Sequence, residues 1–218
     1  MSRPIAVLRP EPGNRVTAAA IEAAGRTAIR MPLFATRPIA WTAPDPTEHD
    51  ALILTSANAL RHGGVELAKL FGLPVHAVGE ATADAARRAG FAVASIGDRG
   101  SEALLAQAEA VGVRQALHLA GRERLVEPGG IVTRVVTVYA SEPIDVPAPR
   151  RIEGSVALVQ SARAGARLAE LGLDRSRIAL VAVSERAAQA AGEGWETVRI
   201  APSPDPDSLL DAAIALAD

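Results

Sequence analysis

Short runs of consecutive apolar residues alternate along the chain with longer segments in which apolar positions recur at helical spacing. The apolar runs are 5–9, 27–34, 51–55, 75–78, 92–96, 116–120, 132–139, 156–160, 178–183 and 196–200. Runs this short, with no polar residue at every second position, suit strands buried on both faces, as in parallel sheets. Between most of them lie Ala-rich stretches such as TAAAIEAAG, ATADAARRAG, SEALLAQAEAVG and ERAAQAAGEG, which read as helices. Strands spaced by such helices predict right-handed βαβ units, and therefore an α/β fold with parallel sheets.

The pattern repeats. LFATRPI (33–39) matches VYASEPI (138–144), and LILTSAN (52–58) matches ALVQSAR (157–163) near the same offset of 105 residues. HAVGEATADAARRAGF (76–91) matches LVAVSERAAQAAGEGW (180–195), and SEALL (101–105) is echoed by PDSLL (206–210). A near-constant offset predicts a duplicated α/β unit. Proline-rich stretches follow the first matched strands at about 35–46 and 140–149, and read as extended linkers. They fall inside each repeat, so cutting at both leaves a central piece, 40–139, and two terminal pieces, 1–36 and 145–218. The expectation is two similar five-stranded parallel-sheet α/β domains, one central and one built from both ends of the chain. The two linkers would make the molecule bilobed, with an interdomain cleft at the strand ends.

Composition adds exclusions. The aromatic share is 3%, so Ala, Val, Leu and Ile must fill the core. A net charge of -2 gives no basic field for nucleic acid or an anionic membrane. No apolar run approaches the roughly 20 residues needed to span a bilayer. The first residues, MSRPIAVLRPEPG, read as a strand and turn and not as a signal peptide, so a cytoplasmic protein is expected. With no cysteine there is no thiolate nucleophile or Cys-ligated zinc, and His49, His62, His76 and His118 show no ligand spacing. PDPD (204–207) reads as a loop leading into a helix whose first turn favours acids. Phosphate-loop, dinucleotide and nucleophile-elbow glycine patterns are missing too.

The stretch DALILTSANAL (50–60) carries two hydroxyls and an amide where a strand hands over to a helix. Ser56 and Asn58 there could cap the helix, or hold an anion at its free N–H groups.

Together with VLRPEPGN, HAVGEATADAARRAG, GRERL (121–125) and VTVYASEP, that stretch resembles the uroporphyrinogen-III synthase family over nearly the whole chain. The resemblance implies a cyclising lyase of tetrapyrrole biosynthesis, without cofactor or metal. Its substrate, linear hydroxymethylbilane, loses its terminal hydroxyl and closes with inversion of the last pyrrole, through a spiro intermediate. Such a substrate is strongly anionic. The resemblance therefore implies carboxylate contacts at Ser56, Asn58, Thr82, Arg9 and Arg122, with Gly79 admitting close approach and Gly121, just before Arg122, counted among the substrate-binding residues. In the second repeat the counterparts are Ser161 and Arg163. There the family's Gly-x-x-Thr turn is replaced by VAVSERAA, which shifts the expected contacts to Ser184 and Arg186. Tyr139 is the only tyrosine. The resemblance makes it the group that assists departure of the bilane hydroxyl, since a phenol stays protonated at neutral pH and donates a hydrogen bond. The sequence shows no coiled-coil heptad or exposed aromatic patch, so a monomer is expected, with room for transient contact with the bilane-producing enzyme. His62, beside Gly63 and Gly64, reads as a helix end. Residue chemistry alone leaves a second function open: a cytoplasmic bilobed small-molecule sensor without catalysis.

Overall fold

The computed structural model describes residues 2–218. The chain runs through β1 (Ile5–Val7), α1 (Gly13–Ala23), β2 (Ala28–Arg30), β3 (Phe34–Pro38), β4 (Ala51–Leu54), α2 (Asn58–His62), β5 (Val75–Val78) and α3 (Glu80–Arg88). It continues through β6 (Val93–Gly97), α4 (Gly100–Ala110), β7 (Ala116–Gly121), β8 (Val132–Pro143), β9 (Val156–Val159), α5 (Ala162–Ala169), β10 (Ala179–Ala182), α6 (Glu185–Ala191), β11 (Thr197–Ile200) and α7 (Pro206–Ala217). Two compact units emerge: Met1–Ala35 with Glu142–Asp218, and Thr36–Ser141.

The terminal unit holds a five-stranded sheet in the order β11-β10-β9-β1-β2, with all neighbours parallel. Alternate residues of each buried strand feed opposite faces, as the pleat requires. Ile5, Val7, Val156, Leu158 and Val181 pack on one side with Ile21 of α1 and Leu209 of α7. Ala6, Leu8, Ala157, Val159 and Leu180 pack on the other with Leu168 of α5 and Ala187 of α6. Both faces of β1, β9 and β10 are covered, which is why these strands read as unbroken apolar runs, whereas the edge strand β11 is exposed. Small residues set the helix packing. A Cβ on Gly165 of α5 would sit 2.5 Å from the Ala187 carbonyl oxygen of α6.

The central unit's sheet has the order β3-β8-β7-β4-β5-β6. Pairings from β8 to β6 are parallel. Leu52, Leu54, Leu117 and Leu119 face α2 and α3, and Ala51, Ile53 and Ala116 face Leu104 of α4. The order β6-β5-β4-β7-β8 matches β11-β10-β9-β1-β2, so the sequence repeat corresponds to a topological one.

Two expectations need correction. The central sheet has six strands, because β3 extends the sheet at the edge beside β8. The apolar run 27–34 is not one strand. Its ladder bonds continue through Met31 N to Val7 O, and Pro32, which has no N–H to donate, separates β2 from β3. The stretches read as linkers also begin inside strands. Strand β3 runs to Pro38 and β8 to Pro143, each ending at its proline. No described helix is long and apolar enough to cross a membrane.

Candidate functional site

In the central unit, the parallel strands β4, β5, β7 and β8 release their chains at one edge of the sheet. Open α/β sheets bind ligands at the carboxyl ends of strands. The predicted residues of this unit gather there. Ser56 and Asn58 follow β4, Gly79 and Thr82 follow β5, Gly121 ends β7, Arg122 comes next, and Tyr139 lies opposite Gly121 in register.

Gly121 and Tyr139 fit each other closely. A Cβ on Gly121 would lie 2.7 Å from Cζ, 2.8 Å from Cε2 and 2.9 Å from the hydroxyl of Tyr139. The glycine thus makes room for a protein ring, whereas its expected task was substrate binding. The register shifts between Ala120 and Gly121, and Arg122 N donates to Tyr139 O at 2.9 Å, fixing the two strands at this point. The Tyr139 hydroxyl has no hydrogen-bond partner among the described residues.

A residue the sequence reading assigned only to a helix end stands beside this ring. His62 lies with its ring centroid 6.0 Å from that of Tyr139, at an interplanar angle of 32°. Its Nε2 is 2.9 Å from Thr36 Oγ1 of β3. Trp41 Nε1 donates to Gly63 O at 2.8 Å, tying the chain beyond β3 to the residue after His62. Burial first, and the neighbouring Arg61 charge second, hold the His62 pKa below its ordinary value. The sequence held one signal for Thr36: the repeat aligns it with Ser141, so a hydroxyl recurs after the aromatic position.

The side chains of the TSAN segment are already engaged. Asn58 N donates to Ser56 Oγ at 3.2 Å, and Asn58 Oδ1 accepts from Arg61 at 2.9 Å. Gly79 adopts φ +75°, a conformation glycine takes without penalty, and its carbonyl accepts from Thr82 N. Thr82 is buried in the first turn of α3.

The terminal unit repeats the arrangement. Arg9 follows β1, Ser161 and Arg163 follow β9, and Ser184 and Arg186 follow β10, again at the carboxyl ends of adjacent parallel strands. Buried Asn14 holds the first of these turns, donating to Val7 O at 2.8 Å and Arg9 O at 3.0 Å. Arg9 folds back so closely that a Cβ on Gly13 would meet its Nε at 2.4 Å. Burial lowers the Arg9 pKa, and no carboxylate pairs with it among the described residues. A half-buried guanidinium without a counter-ion is suited to an anionic ligand. Ser161 and Ser184 are helix caps, accepting from Ala164 N at 3.1 Å and Ala187 N at 3.3 Å. The Arg163 guanidinium lies 4.5 Å over the Phe34 ring, the position that the repeat aligns with Tyr139. Asp205 caps α7 through Ser208 N at 2.8 Å, in keeping with a capping role for the PDPD loop. No group of His, Asp and Glu able to hold a metal occurs among the described residues.

Comparison with known proteins bears on this geometry. The family model described as uroporphyrinogen-III synthase HemD matches residues 15–211. No curated protein matches by sequence. The crystal structure of uroporphyrinogen-III synthetase from Helicobacter pylori 26695 aligns over 99% of this chain and 100% of that one, at 18% identity and a TM-score of 0.66. That similarity is one of fold. A mutant uroporphyrinogen III synthase from the extremely thermophilic bacterium Thermus thermophilus aligns over 99% of each chain at 18% identity, with a TM-score of 0.47.

Proposed function

The chain belongs to the uroporphyrinogen-III synthase family, cyclising lyases of tetrapyrrole and haem biosynthesis, and from that premise we propose how its own residues carry the reaction. The reaction closes linear hydroxymethylbilane into uroporphyrinogen III, with loss of water and inversion of the terminal pyrrole. Tyr139 is the hydrogen-bond donor to the departing hydroxyl. The observation that carries this reading is its phenol, which has no partner among the described residues although the ring packs against Gly121. The ring is partly buried, so the phenol is left to solvent or to a bound substrate as its partner.

The acetates and propionates of the substrate are held by groups at the two carboxyl edges. Arg122, the turn at Gly79 and the N–H groups after Ser56 and Asn58 serve in the central unit. Arg9, Arg163, Arg186 and the helix starts at Ser161 and Ser184 serve in the terminal unit. Thr82 contributes least, since it is buried. Catalysis then rests mainly on holding the terminal pyrrole where inversion outpaces direct closure. The division into a central unit and one built from both ends supports two domains, near 40–139 and 1–36 with 145–218. The enzyme acts as a cytoplasmic monomer that receives an unstable substrate from the enzyme that makes it.

The test is incubation of the purified protein with fresh hydroxymethylbilane, reading the ratio of inverted to non-inverted macrocycle. Wild-type protein should give the inverted product, and Tyr139→Phe should keep the fold while losing turnover by about ten-fold or more. Wild-type turnover in a folded Tyr139→Phe protein would remove the hydroxyl from the mechanism.

A further inference from the structure

Loss of water leaves a proton to be placed. The hydroxyl departs with its bonding electrons from the hydroxymethyl carbon. In the inverting route that carbon first bonds to the substituted α-carbon of the terminal pyrrole. The bond from this α-carbon to the neighbouring methylene bridge breaks, and the bridge re-bonds at the α-carbon that still carries hydrogen. The ring becomes aromatic again only when that hydrogen leaves as a proton. Water therefore takes its hydroxyl from one end of the substrate and its balancing proton from the other, and a base is needed where the ring carbon loses that proton.

We propose that His62 is this base: its Nδ1 receives the ring proton while Tyr139 assists the hydroxyl. The inference rests on the reading that the Tyr139 phenol faces the reacting carbon. Several observations support it. The two rings lie side by side, 6.0 Å between centroids, at the carboxyl edge of the central sheet. Thr36 Oγ1, 2.9 Å from Nε2, anchors one ring nitrogen. In the tautomer whose Nε2–H donates to Thr36, which the proposal requires, the lone pair sits on Nδ1, and Nδ1 has no hydrogen-bond partner among the described residues. Burial and the Arg61 charge lower the His62 pKa, so the imidazole is neutral near pH 7 and free to accept.

The charged groups on β7 and in the turn Gly64–Leu70, both packed against α2, do not oppose this. On β7 the titratable residue is His118, whose Nδ1 bonds Ile53 O. In the turn Gly64–Leu70 the carboxylate of Glu66 is held by Lys69 and by Ala43 N. Arg61, on α2 itself, is the charge felt by the ring, and no carboxylate holds His62 as imidazolium. The proton count closes. Tyr139 gives a proton to the leaving hydroxyl, His62 takes one from the ring carbon, and release of the imidazolium proton to solvent with re-protonation of the phenolate from solvent resets both groups, one water being released.

The experiment uses the full chain and fresh hydroxymethylbilane. His62→Gln should lower kcat by about ten-fold or more with KM changed by less than about two-fold. Wild-type kcat should fall as pH drops below about 6.5, and His62→Gln should lose that acid limb. Imidazole in solution should restore part of the rate to His62→Ala. A His62→Gln enzyme with wild-type kcat and an unchanged acid limb would overturn the proposal. Should the variants fail to fold, an NMR titration of His62 in the wild-type protein decides. A midpoint matching the acid limb supports the role, and one displaced from it by more than about one pH unit overturns it. Tyr139→Phe is assayed in parallel. Loss in Tyr139→Phe with none in His62→Gln refutes the His62 role alone, whereas wild-type turnover in Tyr139→Phe refutes the Tyr139 reading and this inference with it.

Discussion

Replacing Gly121 by alanine separates the position of the Tyr139 ring from the stability of the fold. The added methyl would stand 2.7 Å from Cζ and 2.8 Å from Cε2 of the ring. Comfortable carbon contacts lie near 3.5–4.0 Å, so something must yield by about 1 Å. The atoms met are the far end of a side chain, not backbone, and the ring is the part that can swing. Overpacking of this kind costs about 1–3 kcal/mol, and a movable ring puts this case at the lower end. For a chain of this length the melting temperature should drop by about 2–8 °C. Turnover should fall much further, since about 1 Å of misplacement can cost roughly a hundred-fold. Thermal melts together with single-turnover assays on hydroxymethylbilane make the comparison. A folded Gly121→Ala protein with turnover within about two-fold of wild type would refute the reasoning, because the displaced phenol would then be irrelevant to the chemistry.

Gly165→Ala should show the opposite balance. Its methyl would meet backbone of α6, 2.5 Å from Ala187 O and 2.9 Å from Ala191 N, which cannot swing aside. A loss of about 2–3 kcal/mol in urea unfolding is expected, and an unchanged midpoint would show that α5 and α6 separate freely. Stability should also depend on pH through His62, His76 and His118, whose pKa values burial holds below the ordinary value. The unfolded chain takes up protons that the folded one refuses, so this stability is intact above about pH 6.5 and lost progressively below it. A urea midpoint that stays constant from about pH 8 to 5 would contradict this. Asp45 and Asp205, held low chiefly by hydrogen bonds to Thr47 and Ser203, bring their own losses only in more acid solution. Replacing Arg163 and Arg186 together by glutamine should raise KM more than it slows turnover, and an unchanged KM would remove both from substrate binding.

The fold was legible in the chain because burial on both faces writes itself as apolar runs, and because duplication writes the same message twice. Strands β4, β5, β7, β9 and β10 fall where those runs predict. The misreading at 27–34 has a simple origin. Met31 and Leu33 are buried like strand residues, and only the missing N–H of Pro32 tells β2 from β3. Similarly, Arg37 and Pro38 look like linker because edge-strand residues remain exposed. At the site, residues at strand ends could be named from the sequence, since a strand's end is a local property. The partnership of Gly121 with Tyr139 depends on the register of β7 against β8, and that of His62 with Thr36 joins α2 to β3. Neither pairing follows from spacing along the chain. The Gly63-Gly64 pair beside His62 is a true helix-end signal, and it masked the ring's second neighbour.

The place of β1 has a consequence for how the chain assembles as it is made. Ile5 pairs with Ala28 on one side and with Val156 on the other, so the first strand lies inside its sheet and not at the edge. Emerging from the ribosome, β1, α1 and β2 form a fragment with one open flank, whose proper neighbour is still more than half a chain from synthesis. Strands β4 to β8, by contrast, come out consecutively, and β4 finds both its neighbours, β5 and β7, before β9 is made. Domains completed early fold early during translation, and exposed strand edges invite wrong partners meanwhile. The nascent chain must therefore carry an unsatisfied βαβ fragment through the birth of the whole central unit. The flank of β1 that awaits β9 is thus the strand edge that stays unpaired longest while the chain is made.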